Sequence, residues 1–290
     1  CGLWRSSLGA SDGRLARSGA LDEARRAEGL RPLRDLNIGK ELALVRRLRP
    51  LRGLRVLDVG AGHGWYLEAA GREGARAEGI EPDVEIAESA RASGLRVTIG
   101  YFPEAVRDTS PFDVICFHDV LEHIVDLPGA LTACRSLLVP GGLLVVSAPD
   151  AGGTLYAMAR LLAALRICGP LERLWQVGYP SPHVSYFSRE TLGHVAGRFG
   201  FRWRAGAPLA SLTLRGLWAR VHMDRAPTAG STVVYCVLAG ARLLLAVLPS
   251  DQRLHVFEAP GGRRAPGPDA APPQGGAPEL EAGEAGPGSG

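Results

Sequence analysis

The chain is 290 residues long, 46% hydrophobic and 22% charged, with 33 cationic side chains against 30 acidic ones and a formal charge of +3. That apolar content can bury a sizeable core and excludes wholesale disorder. The near balance of charge gives no electrostatic case for a nucleic-acid partner, and 32 of the 33 cations are arginine, a bias that fits a GC-rich genome better than phosphate binding.

In chain order, residues 1–52 are predicted to form an N-terminal helical extension. Leu42, Val45 and Leu48 recur at intervals of three on a helix that stops at Pro50. The domain proper is predicted over 53–258. Leu54–Val59 is a short apolar strand, Gly60–Gly64 a glycine turn, and a helix runs from about His63 to Arg72. Ala75–Glu81 is a second strand, Asp83 caps a helix through about Ala92, and Leu95–Gly100 is a third strand. Phe112–His118 is a fourth strand, apolar on both faces, as in a sheet covered on both sides. A helix from about Leu127 to Leu138, a turn at Pro140–Gly142 and a fifth strand at Leu143–Ala148 follow. This alternation predicts βαβ units and a parallel sheet, a Rossmann-like doubly wound α/β fold.

Beyond Asp150 the pattern turns helical. Thr154–Ile167 is an amphipathic helix, and Ser188–Phe199 is a helix capped by Ser188 and ended by Gly200. Phe201–Arg204 and Arg253–Glu258 read as the sixth and seventh strands, with a helical insert between them at about 211–248. In the tail, 259–290, proline and glycine fill 16 of the 31 positions from 260 on, so it is predicted to be disordered.

The five cysteines (Cys1, Cys116, Cys134, Cys168, Cys236) are odd in number and widely spaced. They predict neither a disulfide framework nor a zinc site, and a reducing, cytoplasmic setting fits them. The first forty residues hold no signal-peptide run, and the apolar stretch Val233–Leu248 is too short to span a bilayer.

The chemistry concentrates at Val56–Gly64, where a strand tipped by Asp58 runs into glycines 60, 62 and 64 and then a helix. Glycines let a backbone approach a ligand closely, and a helix start offers unpaired N–H groups. The next strand ends in Glu81, placed to bind both hydroxyls of a ribose. The dinucleotide pattern is GxGxxG, whereas this one is GxGxG behind an acid. A carboxylate there repels a pyrophosphate and suits an ammonium, which favours S-adenosylmethionine over NAD.

Residues 54–150 resemble the core of the class I S-adenosylmethionine-dependent methyltransferases, through VLDVGAGHG (56–64), EGIEPD (78–83), FDVICFHDVLEHI (112–124) and LVPGGLLVVSAPD (138–150). DVLEHI, HVSYFSRETL (183–192) and GRFGF (197–201) resemble the branch of quinone-biosynthesis and natural-product O-methyltransferases. The resemblance implies a seven-stranded sheet, mostly parallel with a reversed last strand. It implies that Gly60, Gly62 and Gly64 line the methionine and ribose, that Asp58 lies near the amino group, and that Glu81 holds the ribose diol. Phe102 would lie near the adenine, and His118 and Asp119 would border the site of methyl transfer.

Methyl transfer is an in-line displacement in which the protein positions and desolvates the acceptor, with a base where that acceptor is a hydroxyl. His123, Glu122 and His183 are the catalytic candidates, and His118 is a third histidine near the site. The Glu122–His123 pair could orient a base or hold a divalent cation, although no metal site is assigned. Trp175, Tyr179, Tyr186 and Phe187 read either as a packing cluster or as the wall of an acceptor pocket. The helices at 154–167 and 233–248 are open to two readings, packed on the core or facing a membrane that holds a lipid-like acceptor. The expected function is therefore methylation, most simply O-methylation, of a small acceptor. A catalytically inactive S-adenosylmethionine-binding module and an NAD-binding oxidoreductase are the alternatives.

Overall fold

A computed structural model of the chain describes residues 3–6, 23–178, 181–222 and 227–261, with only the backbone described at 23–26 and 242–246. Tyr179 and the tail from residue 262 lie outside the described residues. Strand β1 (Trp4–Arg5) precedes helix α1 (Glu23–Leu48), and β2 (Arg55–Val59) leads through the glycine turn to α2 (Trp65–Arg72). Next come β3 (Arg76–Glu81), α3 (Val84–Ala92), β4 (Val97–Ile99), β5 (Phe112–His118), a 3-10 turn (Leu121–His123) and α4 (Leu127–Leu137). The remainder is β6 (Leu138–Pro149), α5 (Thr154–Ala164), α6 (Gly169–Leu174), β7 (Ser185–Tyr186), α7 (Arg189–Arg198), β8 (Arg202–Pro208), α8 (Leu217–Val221), α9 (Ala229–Val247) and β9 (Gln252–Glu258).

Seven strands form one sheet in the order β4-β3-β2-β5-β6-β9-β8, and β9 runs antiparallel to both its neighbours. The remaining pairs are parallel, so this is the predicted doubly wound sheet, with the reversed last strand that the resemblance implies. The chain moves outward from β2 to β4 and then returns to β5 on the other side of β2. In such sheets a crevice opens at the carboxyl ends of the two strands flanking that reversal.

Val114, Ile115, Cys116 and Phe117 of β5 are fully buried because helices cover both faces. On one face Leu57, Ile115, Phe117, Leu144 and Val146 pack with Leu131 of α4 and Leu192 of α7. On the other, Val56, Val114, Cys116 and Val145 pack with Leu42 and Val45 of α1 and Tyr66 of α2. Helix α1 therefore shares the core of the domain, while Leu48, expected on its buried stripe, is exposed.

Among the element bounds that differ from expectation, three have clear local reasons. The helix expected from His63 starts at Trp65, because Gly64 sits at φ +75° and closes the turn first. The turn expected at Pro140–Gly142 is absorbed into β6, which is continuous from Leu138 and shifts register against β5 between Phe112 and Val114. The helix expected to reach Ile167 ends at Ala164, where Arg166 takes φ +66° and the Ile167 N–H donates back to the Leu162 carbonyl at 2.9 Å. That is a Schellman ending, with arginine where glycine is usual.

Candidate functional site

The glycine turn joins β2 to α2 at the carboxyl edge of the sheet. Gly60, Gly62 and Gly64 have φ of +72°, +53° and +75°, a region L side chains rarely enter. A Cβ on Gly60 would come within 2.4 Å of a Val120 methyl, and one on Gly64 within 2.3 Å of a Leu95 methyl, so those side chains would have to shift in addition to the backbone strain. Gly62 is different, since its Cβ direction is open for 4 Å. The Gly62 N–H donates to Glu81 Oε2 at 2.8 Å, and the Asp83 N–H donates to Oε1 at 2.9 Å. Burial pushes the Glu81 carboxyl up, opposed by these two amide hydrogen bonds. Strand β3 thus presents an oriented carboxylate beside the open side of the turn.

Asp58, the last acid of β2, is buried and bonded to His118 at the end of β5. His118 Nδ1 lies 2.7 Å from Asp58 Oδ1, and its Nε2 lies 2.6 Å from Glu41 Oε1. Glu41 belongs to α1, on the stripe that includes Val45. Burial pulls the imidazole down, but the charges of Glu41 and Asp58 outweigh it and hold the His118 pKa at about 10. With a proton on each nitrogen, the ring donates to both carboxylates. It packs against Tyr66 with 4.3 Å between centroids, the rings tilted by 43°. Next to it, the Asp119 carboxylate is tied to Arg34 of α1 and to Gln252 of β9. Helix α1 therefore grips both residues at the end of β5.

A second cluster lies just beyond. Glu122 and His123 sit on the 3-10 turn after β5, and His183 precedes β7. One ligand atom from each lies within 4.8 Å of the others. The Glu122 carboxylate is fully buried and neither oxygen has a hydrogen-bond partner. Burial, and then the charge of Asp119, pushes its pKa well up. Burial lowers both imidazoles, His183 to about 4 with the neighbouring His123 adding to the effect. His123 Nδ1 faces the Pro182 carbonyl at 3.0 Å, which assigns the proton to that nitrogen and leaves Nε2 as an acceptor. One carboxyl group and two neutral imidazoles suit proton transfer, and with the carboxyl ionised they form a donor set for a divalent cation.

An aromatic wall borders this cluster. Tyr186 stacks on Tyr156 at 4.2 Å, meets Trp175 at 5.2 Å and faces His183 at 5.7 Å.

A family model for a methyltransferase domain matches residues 31–205, more than half of the chain. The chain belongs to the methyltransferase domain family. Among curated relatives, the ubiquinone biosynthesis O-methyltransferase of Xylella fastidiosa is 39% identical over 124 residues, covering 40% of this chain and 50% of that protein. The Bradyrhizobium diazoefficiens protein of the same name is 35% identical over 132 residues, covering 44% and 52%. The chain thus spans about half the length of the curated relatives it matches. Among solved structures, Haemonchus contortus phosphoethanolamine N-methyltransferase 2 in complex with S-adenosyl-L-methionine gives a TM-score of 0.56 at 18% identity, over 87% of this chain and 60% of that one. Magnesium protoporphyrin IX methyltransferase from Synechocystis with bound S-adenosylhomocysteine gives 0.52 at 13%, over 85% and 91%. At those identities the likeness is one of fold.

Within this methyltransferase domain the residues expected to hold a ligand do converge at one edge of the sheet, with two changes of role. His118 is not available as a base, because both of its nitrogens are engaged by carboxylates. Asp119 is held in ion and hydrogen bonds rather than free at the site. Phe102 follows β4 and meets Phe117 edge-on at 5.6 Å, packed against the core. Of the two readings left open for the aromatic cluster, Phe187 follows the packing one and lies in the core. Sequence reading missed Tyr156, which α5 brings in, and Glu41. For Glu41 a signal existed, since an acid four residues before Val45 falls on an apolar helical stripe.

Proposed function

We propose that this methyltransferase domain moves a methyl group from S-adenosylmethionine to a hydroxyl of a small lipophilic acceptor. The observation that carries the reading is the pair of buried carboxylates, Asp58 and Glu81, at the ends of adjacent strands around the left-handed glycine turn. A pyrophosphate would meet both acids unfavourably, which disfavours NAD. An ammonium and a ribose diol each find a partner. The open side of Gly62 leaves room for a ligand against the backbone. Bound there, S-adenosylmethionine supplies an electrophilic methyl group on a sulfonium.

The chain's own groups supply the rest. His123 Nε2 takes the hydroxyl proton, and its lowered pKa keeps it neutral at physiological pH. Glu122 and His183 orient the acceptor, or hold a divalent cation that would orient it, and the wall of Tyr156, Tyr186 and Trp175 excludes water from its apolar body. The named activity of the ubiquinone O-methyltransferase relatives supports an O-methylated, lipophilic acceptor. Incubating the domain with methyl-labelled S-adenosylmethionine and a library of apolar phenols should yield organic-extractable label. An absence of labelled product from any acceptor, with cofactor bound, would favour the inactive binding module.

The domain is further proposed to be cytoplasmic and to collect its acceptor at a membrane surface. Cys116, Cys134, Cys168 and Cys236 are free thiols, which fits a reducing compartment. Helix α5 buries Tyr156 and Ala159 toward the site and leaves Met158, Leu161 and Leu165 more than half exposed, followed by exposed Ile167. Val233, Val234 and Val237 of α9 are also exposed. Among the described residues no helix is long and apolar enough to cross a membrane, so the contact would be interfacial. The domain should float with anionic vesicles, and the double variant Leu161→Glu, Leu165→Glu should lose flotation while keeping its fold. Wild-type protein that stays at the bottom of the gradient would remove this part of the account.

A further inference from the structure

Glu41 lies in the helix that precedes the glycine turn, outside every motif from which the cofactor site is read. Its carboxylate is 2% exposed, as is that of Asp58. Burying two carboxylates together is costly unless cations answer them. The groups that face His118 are Glu41 from α1, Asp58 from β2, Tyr66 from α2 and Cys116 from its own strand. Tyr66 and Cys116 are neutral and satisfy each other, the thiol donating to the phenol oxygen at 3.4 Å. The nearby Arg34 and Asp119 close on one another. One imidazolium therefore answers two carboxylates, and the trio carries one uncompensated negative charge behind the turn.

We propose that Glu41 is a positioning residue for the amino-acid end of the cofactor: by engaging His118 across from Asp58, it leaves that net negative charge for the cofactor's α-ammonium to neutralise. The proposal rests on the reading of the glycine turn as an S-adenosylmethionine site. It explains why α1 carries a buried acid on an otherwise apolar stripe, and it makes the helix part of the cofactor pocket. Glu41 need not touch the ligand. Without it, His118 and Asp58 cancel each other and the amino-acid end of the pocket is neutral. The high proton affinity of His118 agrees with this arrangement.

The test uses calorimetry on the full chain with two probes, S-adenosylhomocysteine and 5′-methylthioadenosine, which keeps the adenosine and thioether but lacks the amino acid. Glu41→Gln should weaken S-adenosylhomocysteine by roughly tenfold or more and leave methylthioadenosine unchanged. A pH series adds a readout that a merely structural residue would not move. Wild-type affinity should be flat from pH 6 to 9. In Glu41→Gln it should rise with pH, because loss of the His118 proton restores the net negative charge beside Asp58. NMR of the His118 ring should show that proton leaving at lower pH in the variant. An equal loss for both probes, or unchanged affinity for both, or a variant with no pH dependence, would overturn the role of Glu41. Wild-type protein that binds neither probe would instead overturn the cofactor reading beneath it.

Discussion

Glu122→Gln is expected to slow methyl transfer by about 10²-fold, through lost positioning of the acceptor, while raising thermal stability. Glu122 is fully buried, neither of its oxygens has a partner, and burial and the Asp119 charge both favour its protonated form. Its folded pKa is raised above the ordinary 4.5, so its contribution to stability is complete below that value and is lost as pH rises toward the folded pKa. Glutamine keeps the shape and cannot ionise. The gap in melting temperature between variant and wild type should therefore widen from pH 4.5 upward, by about 2–4 °C for each kcal/mol in a domain of this size. Thermal scans across pH provide the check, and parallel curves for the two proteins would mean that Glu122 titrates alike in the folded and unfolded chain, contradicting its upward shift. The proposed role beside His123 and His183 accounts for a group held at such cost. On the acid side His183, lowered to about 4, stabilises above its ordinary range and loses that contribution as pH falls through about 4.

Glu81→Ala should weaken S-adenosylhomocysteine by about 10²- to 10⁴-fold, the equivalent of losing two charge-assisted hydrogen bonds at 1.5–3 kcal/mol each. The carboxylate is already oriented by the Gly62 and Asp83 amides, so the ligand would not have to order it. Part of the loss would come from the turn itself, which the Glu81–Gly62 bond braces. Glu81→Gln separates the two contributions, since it can still accept from Gly62 N–H while losing the charge. It should fall between wild type and alanine. Unchanged affinity in Glu81→Ala, with the fold intact by circular dichroism, would contradict the ribose assignment.

The cofactor side of this site was legible because its parts are close in sequence and obey spacing rules. Asp58 precedes Gly60, and Glu81 ends the very next strand, so one βα unit fixes their geometry. The apolar run of β5 and the Ser188 cap of α7 were readable for similar local reasons. What escaped was set by long-range packing. Glu41 reaches His118 across 77 residues of chain, and Gln252 reaches Asp119 across 133. No local pattern encodes such pairs. Tyr156 was read only as part of an amphipathic helix, and its place against Tyr186 follows from how α5 docks. Which face of α5 is buried was left open by its sequence, and the helix packs through small Ala159 and through Tyr156 while Met158 and Leu165 stay exposed. The arginines showed the reverse. Arg55, for example, spans Glu78, Asp108 and the Ser110 carbonyl and lies over the Phe112 ring, so it braces the fold away from the glycine turn.

The central claim is that the acid-flanked glycine turn holds S-adenosylmethionine. Isothermal calorimetry of the wild-type chain against S-adenosylhomocysteine and NAD, run side by side, tests it most directly. The account predicts binding of S-adenosylhomocysteine at one site per chain and no measurable heat with NAD. Binding of NAD without S-adenosylhomocysteine would contradict it.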